Sequence, residues 1–554
     1  MTTTQQLILT HLFRTAPPTL KSLEEQYPAR TLPAGAMVTR IAPSPTGFMH
    51  IGSLYAALIS QRLAHQSKGV FFIRIEDTDK KREVAGAEEL IFSVLKQYGV
   101  FADEGDVAPG KEVGAYGPYR QSDRADIYHA AVRALLLAGK AYLCFDTPDE
   151  LEAMRKTQET QGVRPGYYGH WATWREKNDE EVLAALEAGQ QPVVRFKSPG
   201  NFNTRIAVED VLRGKRELPE NDQDVVIMKS DGLPTYHLAH VVDDHFMRTT
   251  HVLRGDEWFS SFPLHIQLFT ALGWEPPAFG HIAPIQKLDG HGKRKLSKRK
   301  DPEASMSFYA EQGYPEQAII EYLLNLANSN FEDWRKENPT VHSAQFTLSF
   351  EKLSKSNSPL FDFQKLNDIS QNIIARMSAT EVFNAAHVWA ATYDAGTAAR
   401  MSQDPDYVHA ILNIERDPVH GGRKDLAKWS DVKEEIAYFF DEGFSVSLED
   451  IAAKVPSVHL DKVKNVLSTY VQSYRAMETK DAWFAQLKSM AIELGFAPSA
   501  KEFKQDPTKY TGSVADVAAI VRLAVTGRSR TPDLHAIFQV MGDDRVRRRL
   551  LAVK

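Results

Sequence analysis

A stretch rich in turn-forming residues, APSPTGFMHIGS, runs from Ala42 to Ser53 directly after a short apolar segment. Its prolines fix the backbone angle φ, and its glycines allow sharp turning and the close approach of a bulky ligand. Within the turn, His50 supplies an imidazole that can donate a hydrogen bond to a phosphate oxygen. A single histidine beside a glycine is more often structural than functional, so the turn alone does not establish a phosphate site.

A basic segment much further along the chain, KRKLSKRK at residues 293–300, gives the turn a partner of suitable chemistry. It follows the glycine-containing approach DGHGK, which predicts a mobile loop. Lys295, Ser297 and Lys298 on such a loop can close over a triphosphate and neutralise charge that develops during displacement at phosphorus. A charge run is usually a solvated surface, but this one stands out in a chain whose net charge is −6.

The elements that must position these groups have the pattern of a parallel α/β sheet. Val38–Ala42 and Val70–Ile75 are apolar enough for buried strands, and Leu54, Leu58 and Leu63 between them have helical spacing. A strand, a turn, a helix and a second strand in this order form a βαβ unit. Ligands of such sheets bind at the carboxyl ends of the strands, beside helix N-termini. The turn and the sequence EDTD both fall at that end.

The pattern changes twice along the rest of the chain. From about Tyr116 to Met228, helices mixed with short strands indicate an insertion. A second α/β piece resumes at Pro234–His245 and Thr250–Ser261. Beyond about Ser378 helical periodicity dominates, and strand candidates are few.

Composition limits the class of protein. A chain of 554 residues is too long for one core, so we expect roughly three to five structural units. The single cysteine, Cys144, excludes an internal disulfide and a cysteine-only zinc site, and it fits a reducing compartment. The sequence contains no apolar run of the roughly 20 residues that span a bilayer. Residues 1–36 resemble neither a transit peptide nor a secretory signal, and we expect a poorly packed extension there.

Five blocks of the chain together resemble one family. The turn and the lysine segment look like the paired HIGH and KMSKS motifs of class I aminoacyl-tRNA synthetases. More narrowly, the chain is similar to the glutamyl-tRNA synthetase family in TRIAPSPTGFMHIGS, RIEDTD, DGLPTYHLAHVVDDH, HVLRGDEW and KLSKRK. These blocks occur in the order of that family and span roughly residues 38–300. The helical continuation fits the bacterial form.

The resemblance implies two neighbouring binding sites. Those implied for ATP are Ser44, His50, Gly52, Glu257, Lys295, Ser297 and Lys298, with His50, Lys295 and Lys298 as the catalytic groups. Those implied for glutamate are Arg40, Ser44, Glu76, Tyr236, His240 and Arg254. The residue types agree with this assignment, because a substrate with two carboxylates and one ammonium needs cations and an anion. Arg40 and Arg254 supply the cations, and Glu76 supplies the anion.

The fold that the resemblance implies is α/β. It has a Rossmann-like parallel-sheet catalytic domain with an inserted α+β acceptor-binding domain, followed by all-α C-terminal anticodon-binding domains. We expect these boundaries: 1–36, N-terminal extension; 37–115, first half of the Rossmann catalytic domain; 116–230, inserted acceptor-stem-binding domain; 231–280, second half of the catalytic domain; 281–377, stem-contact region with the KMSKS-like loop; 378–554, helical anticodon-binding region.

The implied reaction is that of a glutamate–tRNA ligase. A carboxylate oxygen of glutamate attacks the α-phosphorus of Mg²⁺-bound ATP, which gives glutamyl-adenylate and pyrophosphate. The terminal ribose hydroxyl of tRNA(Glu) then takes the glutamyl group. The implied cofactors are therefore ATP and Mg²⁺, and the implied partners are L-glutamate and tRNA(Glu). We expect a cytoplasmic monomer that does not bind a membrane.

Three positions depart from the family pattern. Ser53 stands at the last position of the HIGH-like motif, and His240 stands where some relatives have asparagine. Some bacterial members bind zinc through cysteines of the inserted domain. Here Asp146 occupies the ligand position after Cys144, and the later GYYGHW offers only His170. A zinc site needs four ligands, so we expect no metal site and no zinc.

Three other functions fit the sequence less well. Glutaminyl-tRNA synthetase is disfavoured because APSPTG and EDTD are of the glutamate type, and because that enzyme is expected to end in β-barrels. A truncated relative that modifies tRNA lacks the long helical continuation. A catalytically silent tRNA-binding protein would not need an intact His50 and Lys298. The sequence leaves open whether glutamine tRNA is also charged, and which residues read the anticodon.

Overall fold

The computed structural model describes residues 2–290, 292–355, 359–417, 422–476 and 478–553. The chain divides into two compact units, Met1–Phe308 with Ile320–Asp362 and Tyr309–Ile319 with Phe363–Lys554. The strands in chain order are β1 Val38–Ile41, β2 Val70–Ile73, β3 Glu104–Ala108, β4 Lys111–Val113, β5 Ala141–Cys144, β6 Val193–Phe196, β7 Arg205–Asp210, β8 Gly214–Pro219, β9 Val226–Met228, β10 His251–Gly255, β11 Ala278–Ile282, β12 Gln286–Asp289 and β13 Gly292–Lys295.

The helices in chain order are α1 Thr3–Leu12, α2 Leu20–Gln26, α3 Ile51–Gln66, α4 Ala87–Gln97, α5 Ala125–Leu137, α6 Pro148–Thr160, α7 Asp179–Glu187, α8 Tyr236–Phe246, α9 Phe262–Leu272, α10 Met306–Gln312, α11 Glu316–Ala327, α12 Phe331–Glu337, α13 Phe350–Lys355, α14 Phe363–Ile374, α15 Ala379–Tyr393, α16 Ala395–Gln403, α17 Pro405–Asn413, α18 Asp431–Ala437, α19 Leu448–Lys454, α20 Leu460–Ser473, α21 Lys480–Glu493, α22 Ala500–Gln505, α23 Val514–Thr526, α24 Leu534–Met541 and α25 Asp543–Ala552.

The predicted βαβ unit is confirmed. β1 and β2 pair in parallel, with Val38 opposite Val70 and Ile41 opposite Ile73, and α3 connects them. Every residue of β1 is buried, as expected for a parallel strand covered on both faces. β3 extends the sheet in parallel, and β4 closes it as an antiparallel edge.

The second α/β piece is also confirmed, and it lies beside the first. β10 and β11 pair in parallel, and the β7–β8 hairpin continues this second sheet. The two sheets meet where the Thr250 N–H donates to the Val38 carbonyl (3.0 Å) and the Val38 N–H donates to the Thr250 hydroxyl (2.8 Å). The carboxyl ends of β1, β10 and β11 therefore come together in one region.

The expected insertion contains helices and short strands, as predicted. β5, β6 and β9 form a separate antiparallel sheet within it. One part of the insertion behaves differently, because Asp210 at the end of β7 pairs with Phe279 of β11. The segment from residue 116 to 230 thus contributes a hairpin to this second parallel sheet. The domain boundaries themselves remain predictions.

The expectation of a poorly packed N-terminal extension is wrong. Residues 1–36 contain α1 and α2, each capped by a threonine side chain at its N-terminus. Four of their apolar side chains, Ile8, Phe13, Leu23 and Tyr27, are buried. The threonine- and proline-rich composition obscured two short helices whose apolar residues pack against other parts of the first unit.

The predicted helical character of the C-terminal region is confirmed. Among the described residues from Ser378 onward, the regular elements are the helices α15–α25. All of these helices except α22 contribute apolar side chains to one large core. In the part of the chain that the structure describes, none of the helices combines the length and apolar character needed to cross a membrane.

Candidate active site

A pocket of about 460 Å³ opens at the carboxyl ends of β1, β10 and β11. Most of the predicted site residues line it, namely Arg40, Ser44, His50, Gly52, Glu76, Tyr236, Arg254, Glu257, Lys295 and Lys298. The two others, His240 and Ser297, are not part of the lining. The early turn and the lysine segment therefore share one pocket, although about 250 residues separate His50 from Lys298.

His50 is fixed at the N-terminus of α3. It is the N-cap of that helix, and its Nδ1 accepts a hydrogen bond from the Gly52 N–H (2.9 Å). An accepting Nδ1 carries no proton, so the proton of the neutral ring is on Nε2. Burial, together with the Lys298 ammonium, lowers the pKa of His50 and keeps the ring neutral. His50 therefore places its Nε2 proton at the positive end of the α3 dipole, where the Gly52 and Ser53 N–H groups are already hydrogen-bonded to His50 itself.

Gly52 is needed for this geometry. A Cβ at residue 52 would lie 3.1 Å from His50 Nδ1, which is closer than such atoms normally approach. A larger residue would therefore press on the imidazole that the Gly52 N–H holds in place. This is a steric reason for glycine at the position after Ile51, and it needs no unusual φ.

The lysine segment is partly a β-hairpin. β12 and β13 pair antiparallel, which puts Lys293–Lys295 on a strand and leaves the loop to residues 296–301. His291, which belongs to the predicted mobile approach DGHGK, lies outside the described residues. The Lys298 ammonium donates to the Phe48 carbonyl of the early turn. Lys295 pairs with Glu257 at 3.1 Å.

A second contact ties the lysine loop to the turn. The Met306 N–H donates to the Met49 carbonyl (3.2 Å), and His50 and Ser305 form an antiparallel bridge. The chain that leaves the lysine loop is thus hydrogen-bonded to the turn. Together with the contact of Lys298 to the Phe48 carbonyl, these contacts hold the lysine loop beside the turn that precedes α3.

Asp301 organises the lysine loop, and sequence reasoning did not identify it. Its buried carboxylate accepts hydrogen bonds from both terminal nitrogens of Arg294 (2.5 and 2.8 Å) and from the N–H of Ser297 (2.9 Å). These donors hold the pKa of Asp301 well below its ordinary value, with Arg294 as the main cause. Ser297 therefore acts through its backbone N–H in this structure, and its predicted contact with ATP stays a prediction.

Arg254 is a buried cation without a carboxylate partner. Among the described residues, no acidic oxygen lies within 4.0 Å of its guanidinium, although it is only 5% exposed. Its Nε donates to His281 Nε2 (2.9 Å), and its Nη1 lies 3.1 Å from His265 Nδ1. Burial lowers the pKa of both histidines, so they are neutral acceptors and do not neutralise Arg254. An uncompensated buried charge favours an anionic ligand.

Arg40 differs from Arg254 in having a built-in partner. Its Nε and Nη2 donate to the two oxygens of Asp244 (3.2 and 3.4 Å). Arg74 donates to the same carboxylate (2.8 Å) and to Glu76 (3.1 Å). Asp243 extends this buried network to Arg124, whose Nε donates to it at 2.6 Å. Three arginines and three acids thus form one balanced cluster behind the pocket.

Arg74, Asp243 and Asp244 lie inside the family blocks RIEDTD and DGLPTYHLAHVVDDH, but the sequence predicts no role for them. The available signal was a charge inside an apolar run, as in VFFIRI and HVVDDH. Charged side chains are rarely buried unless they are paired. Their buried positions, directly after β2 and within α8, therefore indicate an internal ion network, which holds Arg40 and Glu76 at the pocket wall.

Glu76 lies at the pocket wall as predicted. Its N–H donates to the Pro43 carbonyl (3.0 Å), which joins the strand end to the early turn. Burial raises the pKa of the Glu76 carboxyl, and Arg74 opposes that shift. A bound ammonium group would favour the ionised form further. The position suits an acceptor for the amino group of a substrate.

Tyr236 is held in a stack of rings. Its ring lies 3.9 Å from that of Trp258 and 5.3 Å from that of His240. Burial raises the pKa of Tyr236 to about 12, so its hydroxyl remains a donor. His240 lies fully buried behind Tyr236, and its Nδ1 is 2.9 Å from Asp244. As placed, His240 supports Tyr236 and Asp244 and has no surface in the pocket.

The candidate zinc ligands make contacts with neighbouring side chains. The Cys144 thiol lies 3.4 Å from the Tyr167 hydroxyl, which donates to Asp146 (2.6 Å). His170 instead packs its ring against Trp171. Across the described ranges, no group of three or more His, Cys, Asp or Glu side chains is arranged to hold a metal ion.

Comparison with known proteins gives concordant results over nearly the whole chain. The family described as tRNA synthetases class I (E and Q), catalytic domain, matches residues 36–368, and an anticodon binding domain family matches residues 502–554. A glutamate–tRNA ligase of Clostridium perfringens strain 13 is 48% identical over 526 residues, which cover 95% of this chain and 96% of the relative. A glutamate–tRNA ligase of Sorangium cellulosum is 42% identical over 95% of this chain and 96% of the relative.

A solved structure agrees with these relatives. The crystal structure of a glutamate tRNA ligase from Elizabethkingia meningosepticum, in complex with its amino acid, superimposes with a TM-score of 0.71. It is 27% identical and covers 93% of this chain and 98% of that chain.

Proposed function

This chain belongs to the glutamate–tRNA ligase family of class I tRNA synthetases, and on that premise we propose how its pocket performs the reaction. The enzyme activates glutamate with ATP to glutamyl-adenylate and transfers the glutamyl group to the 3′ end of tRNA(Glu). The observation that supports glutamate most directly is Arg254, a buried cation with no acidic partner among the described residues.

In this proposal the two carboxylates of glutamate take different positions. The reacting α-carboxylate must face the ATP phosphates, beside His50. The side-chain carboxylate then binds Arg254, with Arg40 and the Tyr236 hydroxyl beside it, and the ammonium group binds Glu76. Charge-assisted hydrogen bonds of this kind are about twice as strong as neutral ones. Glutamine would leave Arg254 without an anion, so the pocket favours glutamate.

ATP is proposed to lie along the early turn, with its bound Mg²⁺. The proton on His50 Nε2 and the positive end of the α3 dipole would attract its phosphates. Lys298 and Lys295 exchange their present partners, the Phe48 carbonyl and Glu257, for phosphate oxygens. Both lysines can make this exchange at low cost, because exposed pairs contribute little stability.

The chain needs no covalent nucleophile for this chemistry. It holds the carboxylate and the α-phosphorus in line, and its donors stabilise the charge that develops on the phosphate oxygens. Pyrophosphate leaves beside the lysine loop. In the second step the tRNA ribose hydroxyl attacks the acyl carbon of glutamyl-adenylate, and AMP leaves.

Four features of the enzyme remain proposals. The inserted segment would receive the acceptor end of tRNA, and the C-terminal helices would read the anticodon, which the family match at residues 502–554 supports. Single-stranded bases are commonly read by stacking and edge hydrogen bonds. We further propose that the enzyme is cytoplasmic and monomeric.

A charging assay tests the proposal. Purified enzyme is given ATP and either glutamate or glutamine, with tRNA(Glu) or tRNA(Gln), and ATP–pyrophosphate exchange is measured with and without tRNA. We expect charging of tRNA(Glu) with glutamate and no charging with glutamine. Charging with glutamine alone, or no activity with either amino acid, would contradict the proposal. The tRNA(Gln) arm decides whether the enzyme also charges that tRNA with glutamate.

A further inference from the structure

The N-terminal helices pack against the part of the first unit that carries the glutamate-binding side chains. Here residues 3–30, which contain α1 and α2, are called the strap. The strap touches the inserted segment at one end, where Ile8 of α1 packs in a cluster with Val182 and Leu186 of α7. At its other end, Tyr27 is buried, and its hydroxyl donates to the Gly117 carbonyl (2.9 Å).

Glu24 of the strap clamps the C-terminal end of α8. One of its oxygens lies 2.6 Å from His245 Nε2, and the other accepts from Arg248 Nη2 at 2.5 Å. Arg248 also donates to the Tyr27 carbonyl through its Nε (2.9 Å). His245 is stacked on Trp274 with the ring centres 3.8 Å apart. The end of α8 is therefore held by both charge and ring packing.

Arg30 adds a second clamp on the same end of α8. It makes a two-point ion pair with Glu104 of β3 (2.8 and 2.9 Å), and its guanidinium covers the Tyr116 ring at 3.8 Å. The same guanidinium donates to the Met247 carbonyl (3.2 and 3.1 Å), directly after α8. Through Arg30 of the strap, the end of α8 is thus linked to β3 and so to the β1–β4 sheet.

One face of α8 connects these clamps to the pocket. Tyr236, His240 and Asp244 are spaced by four residues, so they lie on the same face of the helix. Tyr236 lines the pocket and stacks on His240, which is hydrogen-bonded to Asp244. Asp244 in turn holds Arg40. A shift of α8 would therefore move both Tyr236 and Arg40.

We propose that the strap is a positioning element for glutamate binding, in which Glu24 and Arg30 fix α8 and thereby the glutamate side of the pocket. Glu24 and Arg30 are positioning residues, since neither lines the pocket. The phosphate side of the pocket is built on α3 and the lysine loop, so the strap acts on glutamate and not on ATP. This inference rests on the proposed function of the pocket.

Two variants of the full-length enzyme test it against a matched control. Glu24→Gln removes the charge and keeps the size, and Arg30→Lys keeps the charge and removes the two-point geometry. Glu25→Gln is the control, because Glu25 is the next residue of α2, is exposed and has no ion pair among the described residues. For each, kcat and the KM values for glutamate and ATP are measured with tRNA(Glu), along with the thermal midpoint.

We expect Glu24→Gln and Arg30→Lys to raise the KM for glutamate by about three- to tenfold, the range of such indirect couplings, and to leave the KM for ATP within about twofold. Glu25→Gln should change neither value. An unchanged KM for glutamate would overturn the inference, as would an equal rise of both KM values that follows a fall in the thermal midpoint. Wild-type enzyme without glutamate-dependent activity would overturn the proposed function instead.

Discussion

The two sides of the pocket are built in opposite ways. On the glutamate side, Arg40 and Arg254 are 4% and 5% exposed and are held by buried partners. On the proposed phosphate side, Lys295 and Glu257 are 55% and 53% exposed, and among the described residues their one ion pair is with each other. Buried, hydrogen-bonded side chains are fixed in position, whereas long exposed side chains exchange partners readily.

The difference matches what each substrate requires. Glutamate must be distinguished from close analogues, and a rigid pocket with an uncompensated cation penalises a neutral side chain. A triphosphate carries several charges and changes its geometry during reaction, so adjustable cations can follow the leaving pyrophosphate. Our proposal therefore assigns specificity to the buried arginines and turnover to the exposed lysine loop.

The largest expected loss of activity comes from a substitution of Arg254, on the buried glutamate side of the pocket. Arg254→Met should lower kcat/KM for glutamate by about a thousandfold, because the side-chain carboxylate loses its desolvated partner. The thermal midpoint should not fall, since the variant removes an uncompensated buried charge. Steady-state kinetics and thermal unfolding measure the two quantities. Arg82→Met, which alters an exposed ion pair, serves as the control. A loss below tenfold would mean that Arg254 does not bind the substrate.

The second-largest effect is expected for a His50 variant, which should impair the phosphate side of the pocket and spare the glutamate side. His50→Ala should slow adenylate formation by about a hundredfold, because it removes an N–H donor aimed at the phosphates. Glutamate affinity should stay within about twofold, since the variant leaves the buried network intact. Single-turnover kinetics and equilibrium binding of glutamate provide the two readouts. Equal losses in both would refute the division of the pocket into two sides.

The pH dependence of kcat/KM for ATP sharpens the comparison further. Burial and Lys298 hold the pKa of His50 below its ordinary 6.5, so the ring is neutral at and above that pH. The rate should stay flat from about pH 8 to 6.5 and fall as the pH drops through the lowered pKa, because protonation of Nδ1 breaks its bond to the Gly52 N–H.

The variant Lys298→Met supplies the comparison for that profile. Removal of the ammonium raises the pKa of His50 toward its ordinary value, so the acid limb should move to higher pH. Turnover should also fall by about tenfold, an effect kept modest by solvent screening. An acid limb that stays in place, or moves to lower pH, would show that His50 is not the titrating group.

The smallest change in activity is expected for the exposed ion pair between Lys295 and Glu257. Glu257→Gln frees Lys295 from its present partner, and the KM for ATP should change by no more than about threefold. The change should shrink as salt is raised, because exposed charges are screened. Measuring the KM at low and high ionic strength checks this. A rise of the KM for ATP above about thirtyfold at both ionic strengths would show that Glu257 contacts the nucleotide directly.

The sequence was informative where function depends on local residue types. The turn around His50, the lysine segment and the order of strand, turn, helix and strand are all local patterns, and the structure brings the first two to one pocket. Helical periodicity beyond Ser378 was equally readable, since each helix shows its own apolar face.

Site features could not be predicted from the sequence where they depend on contacts between side chains far apart in the chain. Arg40 and Arg254 look alike in a sequence, and only the fold shows that Arg40 forms an ion pair with Asp244, whereas Arg254 has no ion pair among the described residues. The role of Asp301 could not be predicted from the sequence, because it is the folding of the β12–β13 hairpin that brings Arg294 to its carboxylate. The packing of residues 1–36 was missed since two short helices show little periodicity by themselves.

The most direct test of the account is a crystal structure of the enzyme with a non-hydrolysable sulfamoyl analogue of glutamyl-adenylate. The account predicts the side-chain carboxylate of the analogue on Arg254, its ammonium on Glu76, and its sulfamoyl oxygens within hydrogen-bond distance of His50 Nε2. An analogue whose carboxylate lies away from Arg254, or whose sulfamoyl group lies away from His50, would contradict it.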